Sequence, residues 1–122
     1  MTLLLDSVVL IDHFNGHADA TAYLRAHRTE AAVSAVTYAE VLTGFEGEAV
    51  GPARAVLDAF AFVPVGLREA RTAAVLRRRE RWKLPDALQA AVAQTHGLQL
   101  VSRNTRDFDP ERHPFVVVPY AL

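Results

Sequence analysis

The sequence contains no cysteine, and only one methionine and one tryptophan, in 122 residues. Without cysteine the protein has neither disulfides nor thiolate metal ligands, which fits a reducing compartment, so we expect it to act in the cytoplasm. No apolar run approaches the ~20 residues that span a bilayer, and no membrane association is expected. The opening segment carries no basic residue and is interrupted by Asp6, unlike a secretory signal peptide.

The composition is that of a globular protein, with 51% apolar and 22% charged residues. A length of 122 residues predicts a single domain over 1–122. Charge is unevenly distributed, because 1–67 hold three Arg and eight acids (net −5) whereas 68–122 hold ten Lys or Arg and six acids (net +4). This asymmetry fits a metal-binding cleft beside a polyanion, although a chance distribution of surface charge explains it equally well.

Short apolar segments alternate with helical ones along the whole chain. Five strands are predicted, at 3–5, 32–33, 61–63, 98–101 and 115–118. Six helices are predicted, at 7–15, 18–28, 37–45, 50–59, 67–82 and 86–96. The apolar runs are continuous, which is typical of strands buried on both faces of a parallel sheet. We therefore predict an α/β fold, a three-layer αβα domain with a central parallel sheet of four to five strands.

Four acidic residues follow an apolar segment or lie near the start of a helix: Asp6, Glu40, Asp86 and Asp107. In open parallel sheets these places meet beyond the carboxyl ends of the strands, where ligands bind. Carboxylates gathered there repel by roughly 3 kcal/mol per pair at ~5 Å and an effective dielectric near 20. A hard divalent cation with oxygen ligands relieves that repulsion. The four acids therefore predict a Mg²⁺- or Mn²⁺-dependent site for phosphoryl transfer.

Each acid also has a local structural explanation. Asp6 suits the N-cap of the first helix, and residues 37–40 match a capping box. Residues 85–86 match a proline at the first helical position followed by an acid that the helix dipole favours. Residues 104–107 suit an Asx-type turn. Taken singly, each local explanation is the simpler one, and only the joint placement of the four acids favours a site.

Four ordered blocks of sequence resemble those of the PIN-domain ribonucleases, and specifically of the VapC-type toxins of toxin–antitoxin pairs. They are LLDS at 4–7, SAVTYAEVLTG at 34–44, LPDALQAA at 84–91 and LVSRNTRDF at 100–108. The resemblance runs over nearly the full length, and the stretch from 47 to 80 is less diagnostic. The order of four blocks is far more specific than any block alone.

The resemblance implies functional residues, a cofactor and partners. The family's acidic metal-binding positions match Asp6, Glu40, Asp86 and Asp107, and accompanying polar positions match Thr37 and Asn104. The implied activity is that of an RNA endonuclease that uses Mg²⁺ or Mn²⁺ and leaves 5′-phosphate and 3′-hydroxyl ends. The implied assembly is a homodimer bound to a VapB-type antitoxin that blocks the site.

Basic residues near these blocks are candidate contacts to RNA. The densest basic run, 77–83, contains three arginines that we predict contact phosphates, Arg77, Arg78 and Arg81. A solvated helix face explains this run equally well, and Trp82 within it is expected to pack in the core. Arg103 and Arg106 flank the acidic positions and are better placed to contact substrate.

Other functions fit the sequence less well. There is no G-x-S-x-G elbow, P-loop or G-x-G-x-x-G motif. A response-regulator receiver domain needs an aspartate at the end of its third strand, where this chain has Pro64-Val65-Gly66. The remaining alternative is a catalytically silent module of PIN shape that binds RNA or protein.

Overall fold

The computed structural model describes residues 1–122 and contains five strands and six α-helices. The strands are β1 Leu3–Leu5, β2 Ala31–Ser34, β3 Ala61–Val63, β4 Gln99–Val101 and β5 Val116–Val117. The helices are α1 Ser7–Phe14, α2 Ala18–Ala26, α3 Ala35–Thr43, α4 Val50–Asp58, α5 Leu67–Glu80 and α6 Leu84–Thr95, with a short 3-10 helix at Gly47–Ala49. Every predicted strand and helix is present. None of the helices is both long and apolar enough to cross a membrane.

All strand pairs are parallel, and the strand order is β3-β2-β1-β4-β5. The chain builds outward from β1 through β2 to β3, then returns across the sheet to β4 on the other side of β1. This reversal places the carboxyl ends of β1 and β4 side by side, with Leu5 paired to Val101. Open α/β sheets bind ligands at such a switch point. A ligand site is therefore expected among the residues that follow β1 and β4.

Helices cover both faces of the sheet, because successive side chains of a strand point to opposite faces. Leu4 and Leu100 pack with residues of α5 and α6, including Leu76 and Ala90. The adjacent residues of the same strands, such as Leu5, point to the opposite face of the sheet. There they form a second core with residues of α1 to α4. All three residues of β1 are buried. The three-layer αβα fold with a five-stranded parallel sheet is confirmed.

The start of α3 differs from the prediction. The helix begins at Ala35, and its N-cap is Ser34, whose Oγ accepts a hydrogen bond from the Thr37 amide at 3.2 Å. A capping box with Thr37 as the cap is therefore wrong, since Thr37 lies inside the helix and its hydroxyl donates to the Leu5 carbonyl at 3.0 Å. Ser34 ends β2 and satisfies one free amide of the first turn, that of Thr37. The Thr37 side chain is thereby left to join α3 to the end of β1.

Helix α6 also begins earlier than predicted. It starts at Leu84 after Lys83, so Pro85 is its second residue and Asp86 its third. Proline is tolerated there because the amides of the first turn have no partner within the helix. The shift places Asp86 in the first turn and turns its side chain toward the carboxyl edge of the sheet.

Candidate functional site

An open cavity of about 420 Å³ lies at the carboxyl edge of the sheet, above β1 and β4. It is lined by Asp6, the start of α1, Asp86 and residues 103–106, and seven of its eight lining residues are polar. The lining therefore comes from three separate parts of the chain that the strand order brings together. An open and mainly polar cavity suits a charged ligand better than an apolar small molecule.

Asp6 lies at the floor of this cavity, directly after β1, and is 5% exposed. Its Oδ1 caps α1 by accepting from the Ser7 amide at 2.9 Å, and its Oδ2 accepts from the Ser102 hydroxyl at 2.7 Å. The Gln89 side-chain amide donates to Oδ1 at 3.3 Å. Burial raises the pKa of Asp6, and these hydrogen bonds oppose the rise. Capping and membership of the site are thus compatible roles for this carboxyl.

Gln89 organises the polar core beneath the site, a role that was not predicted from the sequence. The side chain is 1% exposed, and its Oε1 accepts from the Ser34 hydroxyl at 2.6 Å. Its Nε2 also contacts the Thr37 hydroxyl, so one amide joins the ends of β1 and β2 to α3. The available signal was spacing, because Gln89 follows Asp86 by three residues on one helix face, within an otherwise apolar segment.

The carboxylate of Asp86 is repelled by the carboxylates of the other three acids. Burial raises the pKa of this carboxyl from 3.8 to about 6, and charge repulsion from Asp6, Asp107 and Glu40 adds to the effect, partly offset by Lys83. A carboxyl with that pKa is partly protonated near neutral pH. The four acids predicted from sequence therefore act on one another electrostatically at this edge of the sheet.

Glu40 is the most exposed of the four acids and lies on α3 at the margin of the site. Partial desolvation raises its pKa, the Ser7 side chain opposes the rise, and repulsion from Asp6 adds to it. Glu40 also lines a second, smaller cavity of about 210 Å³ together with Ile11 and Phe45. Its carboxyl thus connects the polar site to an apolar groove between α1 and α3.

Asp107 is held by the loop that follows β4. The Asn104 side-chain amide donates to its Oδ2 at 3.1 Å, and the Asn104 backbone amide donates to Ser102 Oγ at 3.0 Å. The Trp82 indole donates to the Asp107 carbonyl at 3.0 Å. Its ring packs edge-on against that of Phe108, with 5.2 Å between the ring centroids. Trp82 is 6% exposed, which confirms its predicted place in the core. A turn is present here, closed by the Phe108 amide donating to the Asn104 carbonyl at 3.0 Å. The predicted Asx-type turn is wrong, because the Asn104 side chain donates to the Asp107 carboxylate and accepts no backbone amide.

The predicted basic contacts fall into two groups. Arg103 and Arg106 lie in the lining of the cavity, although the guanidinium of Arg103 is paired with the Asp12 carboxylate. The three arginines of the basic run are exposed and lie outside that lining; they are Arg77, Arg78 and Arg81. Arg81 ends α5 with a φ of 59°, an uncommon left-handed conformation for a residue other than glycine.

The side chains at this edge are of the types that bind a hard divalent cation, but the acids are not spaced as a complete set of ligands for one ion. The acidic groups are all carboxylates and the neutral partners are hydroxyls and amides, a set that favours Mg²⁺ or Mn²⁺ over zinc, while Arg103 and Arg106 also line the cavity. No three His, Asp or Glu side chains are grouped closely enough to coordinate one ion. Mg²⁺ commonly takes only one or two carboxylates directly and keeps several waters, so two of the acids suffice as direct ligands.

Comparisons with known proteins agree with this architecture. A family profile described as "PIN domain" matches residues 3–110. A chain of a toxin–antitoxin complex from Klebsiella pneumoniae is 35% identical, with a TM-score of 0.91, and the match covers 99% of this chain and 100% of that one. No curated protein matches the chain.

More distant solved structures share the fold. A chain of FitAcB from Neisseria gonorrhoeae is 22% identical, with a TM-score of 0.81 and coverage of 99% of this chain and 100% of that one. A chain of DNA-bound VapBC from Salmonella typhimurium is 19% identical, with a TM-score of 0.75 and 95% coverage of both chains.

Proposed function

Because this chain belongs to the PIN domain family, we propose that it is a metal-dependent endoribonuclease toxin that a cognate antitoxin inhibits. The observation that carries the proposal is the open polar cavity at the carboxyl edge of the sheet, which Asp6 and Asp86 both line. Burial first, and then repulsion from Asp6, Asp107 and Glu40, raises the pKa of Asp86. Such an arrangement is unfavourable without a cation and favourable with one. A purely structural role of the four acids does not require them to share one edge of the sheet.

Two carboxylates that line the cavity, Asp6 and Asp86, are proposed as direct ligands of Mg²⁺ or Mn²⁺. Asp107 and Glu40 are proposed to act at the margin of the site, directly or through water. A divalent ion bound here supplies Lewis-acid activation of the scissile phosphate and a bound water of lowered pKa. Ser102 maintains the position of the Asp6 carboxylate by its hydrogen bond, and Asp6 lines the cavity in which the cation is proposed to bind.

The substrate is proposed to approach over the basic surfaces. Arg106 lines the cavity and is exposed, so it is the closest proposed contact to the RNA backbone. Asn104 and Thr37 hold neighbouring groups by hydrogen bonds, and they are proposed to orient the site from below. The arginines of the basic run extend the proposed track beyond the cavity. Phosphate neutralisation by such side chains is sequence-independent and depends on salt.

The proposed partners are a VapB-type antitoxin and a second copy of the chain. Support for the antitoxin comes from the 35% identical solved neighbour, which is a chain of a toxin–antitoxin complex. Co-expression with the small open reading frame next to the gene tests this proposal. Relief of growth arrest and co-purification of the two proteins are the expected results.

Cleavage of labelled single-stranded RNA by the purified chain tests the enzymatic proposal. We expect cleavage with Mn²⁺ or Mg²⁺, none with EDTA, and a loss of most activity in Asp6→Asn and Asp107→Asn variants that remain folded. Glu111→Gln is the matched control, since this acid is exposed and lies outside the cavity. RNA that binds but is never cleaved with any divalent ion would instead identify a silent binding module.

A further inference from the structure

An ion pair beside the proposed site joins Arg103, which lines the cavity, to Asp12, which does not. Asp12, on α1, is 2% exposed. The Arg103 guanidinium donates to both of its oxygens, from Nε at 2.6 Å and from Nη2 at 2.9 Å. The Tyr120 hydroxyl donates to Oδ2 at 2.8 Å. The Asp12 carboxylate is therefore held by three charge-assisted hydrogen bonds, and bidentate pairs of this kind have the most specific geometry.

These contacts join three segments that are distant in sequence. Asp12 belongs to the helix that Asp6 caps, Arg103 belongs to the loop after β4, and Tyr120 belongs to the C-terminal tail. The tail is held further by the Tyr120 ring, whose centroid lies 6.5 Å from that of Tyr23 on α2. The ion pair is thus a lateral link between the first helix and the loop, independent of the sheet.

Arg103 lies between two residues of the loop whose side chains donate to the proposed metal-binding acids. The preceding residue, Ser102, donates to the Asp6 carboxylate at 2.7 Å. The following residue, Asn104, donates to the Asp107 carboxylate at 3.1 Å. Any movement of the backbone at Arg103 therefore displaces the partners of two proposed metal-binding acids at once. The guanidinium has also committed its Nε and one terminal nitrogen to Asp12, which reduces what it can offer a phosphate.

We propose that Arg103 is a positioning residue rather than a contact to RNA, and that Asp12 and Tyr120 hold it so that Ser102, Asn104 and the acids they bind keep their geometry. The proposal rests on the proposed nuclease function for its catalytic consequence. Its structural content concerns only the order of the loop at 102–108 and can be measured on the metal-free protein. Placement of a reacting group within a fraction of an ångström is what such supporting contacts provide.

Hydrogen exchange of the full chain without metal or RNA tests the structural content. The reporters are the amides of Asn104 and Phe108, which are bonded to Ser102 Oγ and to the Asn104 carbonyl, both at 3.0 Å. Asp12→Asn is expected to speed their exchange about tenfold or more, the range that follows from losing hydrogen bonds to a charged group. Amides of α5 should not change beyond the global effect on stability.

A matched control removes a second buried acid, whose partner is a histidine. Glu69 is 9% exposed and lies 3.1 Å from the His96 imidazole, a contact between α5 and α6 that anchors no site residue. Glu69→Gln should leave the exchange of the loop amides unchanged. Equal acceleration of the loop by this variant would overturn the proposal, because general destabilisation would then explain the Asp12 effect.

RNA affinity and cleavage kinetics of the Asp12→Asn variant distinguish a positioning role of Arg103 from direct contact with the substrate. If Arg103 is a positioning residue, Asp12→Asn and Arg103→Gln both lower kcat with little change in KM, and the double variant is no worse than the poorer single one. If Arg103 contacts phosphate, Asp12→Asn releases the guanidinium and tightens RNA binding, while Arg103→Gln alone flattens the salt dependence by roughly 0.7 in log–log slope. That second pattern would overturn the proposal.

Two conservative variants complete the test. Arg103→Lys keeps the charge but cannot form the bidentate pair with Asp12, so the loop amides should exchange faster than in the wild type. A contact between the side chain and an RNA phosphate would be retained in this variant. Tyr120→Phe keeps the ring and removes only the hydroxyl donor, so a smaller acceleration in the same amides is expected. Wild-type protein that neither binds nor cleaves RNA would refute the proposed function alone, since loop protection that depends on Asp12 is measured without either.

Discussion

Replacing Asp86 with asparagine removes the carboxyl on which the repulsion of the other three acids converges. The pKa of Asp86 in the folded protein is raised from 3.8 to about 6, by burial first and then by the charges of Asp6, Asp107 and Glu40. A raised carboxyl pKa means that the folded state favours the protonated form. Its favourable contribution is therefore fully present below pH 3.8 and is lost as the pH rises through about 6. We expect metal-free wild-type protein to lose stability over this window and the Asp86→Asn variant to lose less.

The size of the effect follows from the shift. A change from 3.8 to about 6 corresponds to about 3 kcal/mol at 1.36 kcal/mol per pKa unit. Because Asp86 is only partly buried, solvent screening reduces this, and we expect roughly 1 kcal/mol. An attraction between the carboxylate and the N-terminus of α6 acts in the opposite direction, by about 0.3–1 kcal/mol. The balance favours the asparagine variant at neutral pH.

Urea unfolding in EDTA measures this balance. Free energies of unfolding are compared at about pH 4 and about pH 7.5, and the variant should gain on the wild type as the pH rises. Glu111→Gln is the control, since its side chain is exposed. Saturating Mn²⁺ should reverse the order, because a cation that binds only the native state stabilises the protein that keeps its ligand. A variant that is less stable than wild type in EDTA at the higher pH would mean that Asp86 serves the helix dipole instead.

Two further predictions concern residues around the acids. Gln89→Leu should lower the free energy of unfolding by about 1–3 kcal/mol in urea titrations, because it leaves buried hydroxyl and carboxyl groups without their amide partner; an unchanged midpoint would show that water replaces that amide. Replacing Arg77, Arg78 and Arg81 together with Gln should reduce the salt dependence of RNA binding by roughly 0.7 in log–log slope per lost phosphate contact, with metal affinity unchanged. An unaltered slope would assign these three side chains to a solvated helix face.

The sequence determined the fold through local patterns. The apolar run at 3–5 is buried on both faces in the structure, as continuous runs in parallel sheets are. The placement of Asp6 was equally predictable, since a residue directly after the first strand must lie at the carboxyl edge. The starts of α3 and α6 were less so, because several polar residues compete to cap a helix and only packing selects among them. Ser34 caps α3 with its side chain, whereas α6 follows Lys83 without a side-chain cap.

Tertiary structure alone decided which polar side chains became partners. Ser34 and Gln89 are 55 residues apart, and Arg103 and Asp12 are 91 apart, so no local pattern joins them. Arg103 has an acid much nearer in sequence at Asp107, yet its guanidinium reaches Asp12. The strand order places β4 against β1, and this brings the start of the loop at 102–108 over the first helix. Residue types and spacing identified the acids of the site. The groups that hold those acids could not be identified in this way, because hydrogen bonds require contact within about 3 Å and only the folded sheet brings the distant segments that close.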